Sequence, residues 1–209
     1  MTETTTQPTI AELETSLSDR EVDIIRAAYR VISDRGGHRV SLQDVADRAE
    51  VSKGLVLYHF QSKSNLLLTT MRWALLTVAE RIQAAVAAAD DPVEALDDML
   101  DILFVDAPRN RAYQLLYVDL VEHAARDEAF VEVAQMTERI VDGLFATVIR
   151  EGVQAGVFHV DDPDEAAAVM RAVVEGTFVA WLPRPDWETA HAELRPRVRR
   201  TLHTLFGVA

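Results

Sequence analysis

Between Ser41 and Lys63 the chain reads SLQDVADRAEVSKGLVLYHFQSK, and its polar side chains are of the kinds that hold phosphates and base edges. Lys53 and Lys63 are the only two lysines of the protein. Lys53 is a long cation able to reach a phosphate or a guanine edge. Tyr58 and His59 can donate to phosphate and offer flat rings. Gly54 carries no side chain, so its backbone can approach a partner closely. Ser41 and Lys63 fall at helix starts, where unpaired N–H groups and the dipole favour an anion.

The elements that must position these groups are two short helices and a turn. Ser41 with Asp44 three residues on has capping-box spacing. Leu42, Val45, Ala46 and Ala49 then recur on one helical face. Glu50-Val51 forms the turn. Ser52 caps a second helix that puts Val56 and Phe60 on one face and Ser52, Leu55 and His59 on another. A helix-turn-helix that buries one face and offers the other is the form of a major-groove reader.

The 209 residues suffice for one or two domains with real cores, and 49% apolar with 26% charged residues is ordinary for a soluble globular chain. The absence of Cys excludes disulfides and Cys-ligated zinc or iron–sulfur sites, and suits a reducing compartment. No apolar run reaches membrane-spanning length, and the N-terminus lacks a signal-peptide pattern. A cytoplasmic location is therefore expected. The net charge of −13 is unevenly spread. Asp19–Lys63 holds eight Lys/Arg against seven Asp/Glu, a net of +1, while the remainder holds thirteen against twenty-seven. An acidic body with a near-neutral head would approach DNA head first.

In chain order, residues 1–17 read as a largely disordered tail with helical character from Ile10 to Leu17. Ser18-Asp19-Arg20-Glu21 is a capping box that opens a helix with Val22, Ile25, Tyr29 and Ile32 as its stripe, ended by Gly36-Gly37. Ser62 caps a long helix that runs without Gly or Pro to about Ala88, a rigid lever leading out of the helix-turn-helix. Asp91-Pro92-Val93-Glu94 and Asp162-Pro163-Asp164-Glu165 are matching N-terminus signatures. Between them the pattern predicts helices over Pro92–Phe104, Asn110–Ala125 and Asp127–Ala155, with a break at Ala107-Pro108 and a stop at Gly156. A helix from Pro163 to Trp181, a break at Pro183-Arg184-Pro185 and a terminal helix to Phe206 complete an all-α fold of about nine helices. Pro196 either starts the last helix or kinks it. The domains expected are residues 18–64 for DNA and 65–209 for ligand binding and dimerisation.

Several spaced positions, Ser41-Leu42-Gln43-Asp44-Val45-Ala46, Val51-Ser52-Lys53-Gly54, His59-Phe60 and Ser62-Lys63-Ser64-Asn65-Leu66-Leu67, resemble the N-terminal domain of the TetR family of bacterial transcriptional regulators. The likeness spans about Asp19 to Leu68. The Val174-Glu175-Gly176 to Trp181 stretch is faintly similar to the BetI-like branch. The resemblance implies a homodimer whose third family helix enters the major groove of a palindromic double-stranded operator. It also implies a C-terminal domain that releases DNA on binding a small-molecule effector. Carried over position by position, it implies DNA contacts at Ser41, Gln43, Ser52, Lys53, Gly54, Leu55, Tyr58, His59 and Lys63. The chain departs from the family at two places. Glu50 stands where Gly is usual, and Leu57 stands where a phosphate-binding Tyr is usual, with Tyr58 following.

The same resemblance puts Trp73, Tyr113, Tyr117, Met136, Phe145, Phe178 and Trp181 on helices that line the effector cavity, where plain core is the competing reading. Asp119, Glu122 or Glu175 beside aromatic rings could attract a cation, although the helical phase favours solvent for Asp119. Val169, Met170, Val173, Val174, Leu202, Leu205 and Phe206 form stripes suited either to a four-helix dimer interface or to the intrachain core. The six histidines form no two-His helical ligand pair, so neither a metal nor a cofactor is expected. Serine-hydrolase, phosphate-loop and dinucleotide patterns are absent, so no enzyme activity is expected. The alternative reading is an all-helical small-molecule binder or enzyme that kept the fold without a DNA function.

Overall fold

A computed structural model describes residues 9–35 and 40–208, and every regular element among them is helical. The helices are α1 (Ile10–Thr15), α2 (Asp19–Arg35), α3 (Leu42–Arg48), α4 (Lys53–Phe60), α5 (Lys63–Ala88), α6 (Pro92–Leu103), α7 (Ala107–Ala124), α8 (Glu128–Gln154), α9 (Pro163–Trp181), α10 (Trp187–Ala190) and α11 (Leu194–Phe206). The nine long elements expected from sequence are present among the described residues, joined by the short α1 and α10. The Gly36-Gly37 stop lies outside the described residues.

Capping chemistry sets most starts. Ser41 and Asp44 make the reciprocal capping box, with Asp44 N–H to Ser41 Oγ at 3.2 Å and Ser41 N–H to Asp44 Oδ2 at 2.9 Å. The Asp91 carboxylate accepts from the N–H groups of Val93 and Glu94, and Asp162 does the same for Asp164 and Glu165. Two boundaries differ from the sequence reading. α7 begins at Ala107, not Asn110, because Asp106 accepts from Arg109 N–H and Pro108 sits in the first turn, where its missing N–H costs nothing. Pro196 likewise lies in the first turn of α11 and neither opens nor breaks it. The region before Ser18 holds α1, with its own capping box between Thr9 and Glu12 and with Ile10 and Leu13 buried, so it is ordered from Thr9 on.

The chain forms two compact units. The first takes the chain through Glu80 together with Leu115–Gln135, and the second takes Arg81–Gln114 together with Met136 onward. α5, α7 and α8 each contribute residues to both. The first unit's core joins Ile24, Ile25 and Ile32 of α2, Val45 and Ala46 of α3, Val56 and Phe60 of α4, and Leu66 of α5. The second unit buries Leu96, Met99 and Leu100 of α6, Phe145 and Ile149 of α8, Met170, Phe178 and Trp181 of α9, and Val198, Leu202 and Phe206 of α11.

Candidate nucleic-acid interface

The α3–α4 turn is closed by main-chain hydrogen bonds. Val51 N–H reaches Ala46 O at 2.9 Å and Glu50 N–H reaches Asp47 O at 3.4 Å, the paired bonds of a Schellman ending. The left-handed residue of that motif is Glu50, at φ 55°. A side chain in this region costs about 1 kcal/mol relative to glycine, which the motif's hydrogen bonds and the burial of flanking residues offset.

Ser52 then caps α4 by accepting from Leu55 N–H at 3.1 Å. Val56 and Phe60 are buried, and this anchors one face of α4 in the first unit. The opposite face carries Ser52, Lys53, Gly54, Leu57 and Tyr58, all exposed. Tyr58 stands furthest out at 79% exposure, against 38% for Leu57. The end of α4 is fixed to the start of α5. Ser62 N–H reaches Phe60 O at 2.6 Å, Asn65 Nδ2 donates to the same carbonyl at 3.1 Å, and Ser62 caps α5 through Asn65 N–H. Gln61, between the helices, has φ 63°. Asn65 and Gln61 gave no sign of these roles in the sequence, since neither breaks a periodic pattern.

Of the nine residues assigned to DNA, Ser41, Gln43, Ser52, Lys53, Gly54 and Tyr58 are exposed, and Leu55, His59 and Lys63 are half-buried. Four have their side-chain polar groups engaged within the chain, Ser41 and Ser52 in their capping bonds and Gln43 and His59 with neighbouring carboxylates. Gln43 Nε2 donates to Asp47 Oδ1 at 2.7 Å. His59 Nδ1 lies 3.5 Å from Glu21 Oε1, which leaves Nε2 as the ring atom for any outside contact. Glu21 itself accepts from Ser18 N–H and from the Ser18 hydroxyl, and these bonds, then the facing His59, outweigh burial and hold its carboxyl below the usual range. The Tyr58 ring packs edge-on to His59 at 5.3 Å. α4 therefore presents a donor-bearing outer face on a helix pinned at both ends.

A model for bacterial regulatory proteins of the tetR family matches residues 24–70, and one for the C-terminal region of BetI-type transcriptional repressors matches residues 92–207, more than half of the chain. The chain belongs to the TetR family. Among curated relatives, the transcriptional regulator BetI of Rhizobium meliloti is 28% identical over 77% of this chain and 76% of its own length. The transcriptional repressor KstR2 of Rhodococcus jostii is 23% identical over 77% of this chain and 78% of its own length. A solved regulator from Saccharomonospora viridis in complex with choline superposes with a TM-score of 0.80 at 22% identity, over 90% of this chain and 97% of that one. This TetR-family chain is a ligand-responsive transcriptional regulator, and α3–α4 is its helix-turn-helix.

The residues assigned to an effector fall in different places. Trp73 and Tyr117 belong to the first unit, and Tyr113, Met136, Phe145, Phe178 and Trp181 to the second. Trp73 donates its indole N–H to Glu14 Oε1 at 2.9 Å, so its polar edge is already engaged. In the second unit Phe178 stacks on Phe104 at 4.7 Å and meets Trp181 at 6.1 Å. Trp181 also faces Trp187 and His191 and donates to Trp187 O at 2.7 Å. The Arg111 guanidinium lies 4.8 Å above the Trp187 ring and donates to Leu182 O. His191 Nε2 pairs with Asn110 Oδ1 at 2.7 Å, and burial lowers the histidine's pKa. Asp119 is buried, contrary to the solvent-facing phase read from sequence, because α7 packs more than one stripe. Gln114 was missed. It is buried in the second unit, its Oε1 without a hydrogen-bond partner among the described residues.

The α9 and α11 stripes divide between the chain's own core and its surface. Met170, Val174, Leu202 and Phe206 are buried in the chain's own second-unit core and have no surface to give a partner. Val173 is half-buried, and Val169 and Leu205 are exposed. The exposed residues of α9 are Val169, Ala172, Gly176, Val179 and Ala180, uncharged and at helical spacing, with Asp164 and Glu165 exposed in the first turn. Periodicity could not tell the two faces of α9 apart, because both are apolar.

Proposed function

We propose that this regulator acts as a cytoplasmic dimeric repressor. Two copies of α4 enter major-groove faces one helical turn apart on a palindromic operator, about 34–36 Å between centres. The observation that carries this is the outer face of α4, with Lys53, Gly54 and Tyr58 exposed while Val56 and Phe60 anchor the helix from behind. Residues 18–64 serve as the DNA-reading head and 65–209 as the regulatory body. Ser41, Gln43, Ser52, Lys53, Tyr58 and Lys63 contact the operator, with Leu55 and His59 at the margin. The apolar outer stripe of α9 beyond its acidic first turn, joined by Val173 and Leu205, pairs with the same stripe of a second copy.

The effector binds in the second unit. The aromatic cluster of Phe104, Phe178, Trp181 and Trp187 and the buried oxygen of Gln114 support that placement, with Tyr113, Met136 and Phe145 as further lining. A small organic cation fits best. The protein is acidic overall, and the Trp187 face already takes a guanidinium at cation–π distance. The choline bound to the Saccharomonospora viridis structure belongs to the same ligand class.

A random-site selection with the full chain tests the DNA reading. A palindromic duplex should emerge, and Lys53→Ala, Tyr58→Ala and Lys63→Ala together should abolish its binding. Recovery of no duplex sinks the repressor reading and leaves the small-molecule binder. Calorimetric titration with choline tests the ligand class. Heat and operator release together support it, and neither at millimolar choline rejects it.

A further inference from the structure

We infer that the N-terminal helix α1 is a positioning element for operator binding, acting through Glu14. This rests on α3–α4 being the DNA-reading unit, and concerns residues ahead of the region that the tetR-family model matches. A six-residue helix does not hold itself together in water, so α1 exists because of what it docks on. Ile10 and Leu13 are buried. Glu14 makes the specific contacts. Its Oε1 accepts the indole N–H of Trp73 on α5 at 2.9 Å and lies 3.5 Å from Arg26 Nη2 on α2. The Trp73 ring in turn meets Tyr29 of α2 edge-to-face at 5.9 Å. One carboxylate thus ties α1, α2 and α5 within the first unit.

The tie is placed to matter for DNA. Trp73 lies ten residues beyond Lys63, about 15 Å along α5. The start of α5 holds the end of α4 through Asn65 and the Phe60 carbonyl. Fixing the Trp73 ring against α2 fixes the angle of α5 on α2, and with it the pose of α4. Without the Glu14 tie, α5 keeps its buried stripe but loses the directional contact that selects one angle. The specific operator complex needs α4 in one pose, whereas non-specific attraction to the phosphate backbone does not.

The test is a double-mutant cycle with Glu14→Ala and Trp73→Phe in the full chain, using the duplex recovered by selection on the wild type. Each single change should weaken operator binding about fivefold, and the double variant should be no weaker than either, because both remove one contact. Affinity for a scrambled duplex should stay within about twofold. Glu14→Gln keeps an oxygen acceptor for the indole and should stay within about twofold of wild type. Operator losses below about twofold, losses that add, or equal losses on the scrambled duplex would overturn the inference. A wild-type chain that recovers no duplex removes the DNA reading itself, an outcome distinct from a wild type that binds and variants that match it.

Discussion

Tyr58 and Leu57 sit side by side on the outer face of α4, and only one of them can bond a phosphate. Tyr58→Phe removes a single hydroxyl donor, worth about 1 kcal/mol, so operator affinity should fall about fivefold in fluorescence anisotropy, with folding unchanged. Leu57→Tyr should gain affinity if the exposed position still faces the backbone, and no gain would assign the contact to Tyr58 alone. Glu50 offers a separate test of backbone strain. Glu50→Gly should raise stability by about 0.5 to 1 kcal/mol in urea denaturation, since φ 55° carries no penalty for glycine. The strain at Glu50 was legible in the sequence, because the family resemblance puts a glycine there. The matching strain at Gln61 was not, because nothing in a glutamine announces a positive φ.

Helices were legible where caps are local. Ser41, Ser52, Asp91 and Asp162 each satisfy N–H groups two or three residues away, so a few adjacent letters fix the boundary. What a helix buries is a longer-range matter. α9 is apolar on both faces over most of its length, and packing against α11 helps decide which stripe is core. Gly152 is a related case. A methyl group there would overlap the Phe158 ring, so α8 needs glycine for the chain to fold back after Gly156. Gly152→Ala should cost about 1–3 kcal/mol in chemical denaturation, and Phe158→Leu in the same chain should recover part of it. The loop from α9 to α11 carries a pH dependence. Burial lowers the pKa of His191 first, and Asp106 opposes it only in part. The unfolded chain then binds the proton more readily, so the stabilisation is complete above about pH 6.5 and is lost as pH falls below it. Melting curves between pH 5 and 8 should show that loss, and His191→Gln should reduce it, the remainder resting on His203, whose pKa burial also lowers.

At the scale of the whole molecule the charge is split between a near-neutral head segment and an acidic remainder, and the exposed residues of α9 beyond its acidic first turn carry none. Val169→Glu with Val179→Glu should yield a monomer by light scattering, because both positions are exposed and replacing them leaves the core untouched. Operator affinity should fall with it, since one recognition helix then binds alone. A further consequence follows from the way α7 and α8 lend Leu115–Gln135 to the first compact unit. The chain leaves that unit after Glu80 and re-enters it at Leu115, so no single cut yields a headpiece with its full complement of packing. A fragment ending at Ser64 or Glu80 would have bare apolar surface where Leu116, Leu120 and Phe130 belong. Grafting this recognition helix onto another regulatory body would therefore require transplanting two separated stretches of sequence, and a chimera joined at one junction should come out insoluble.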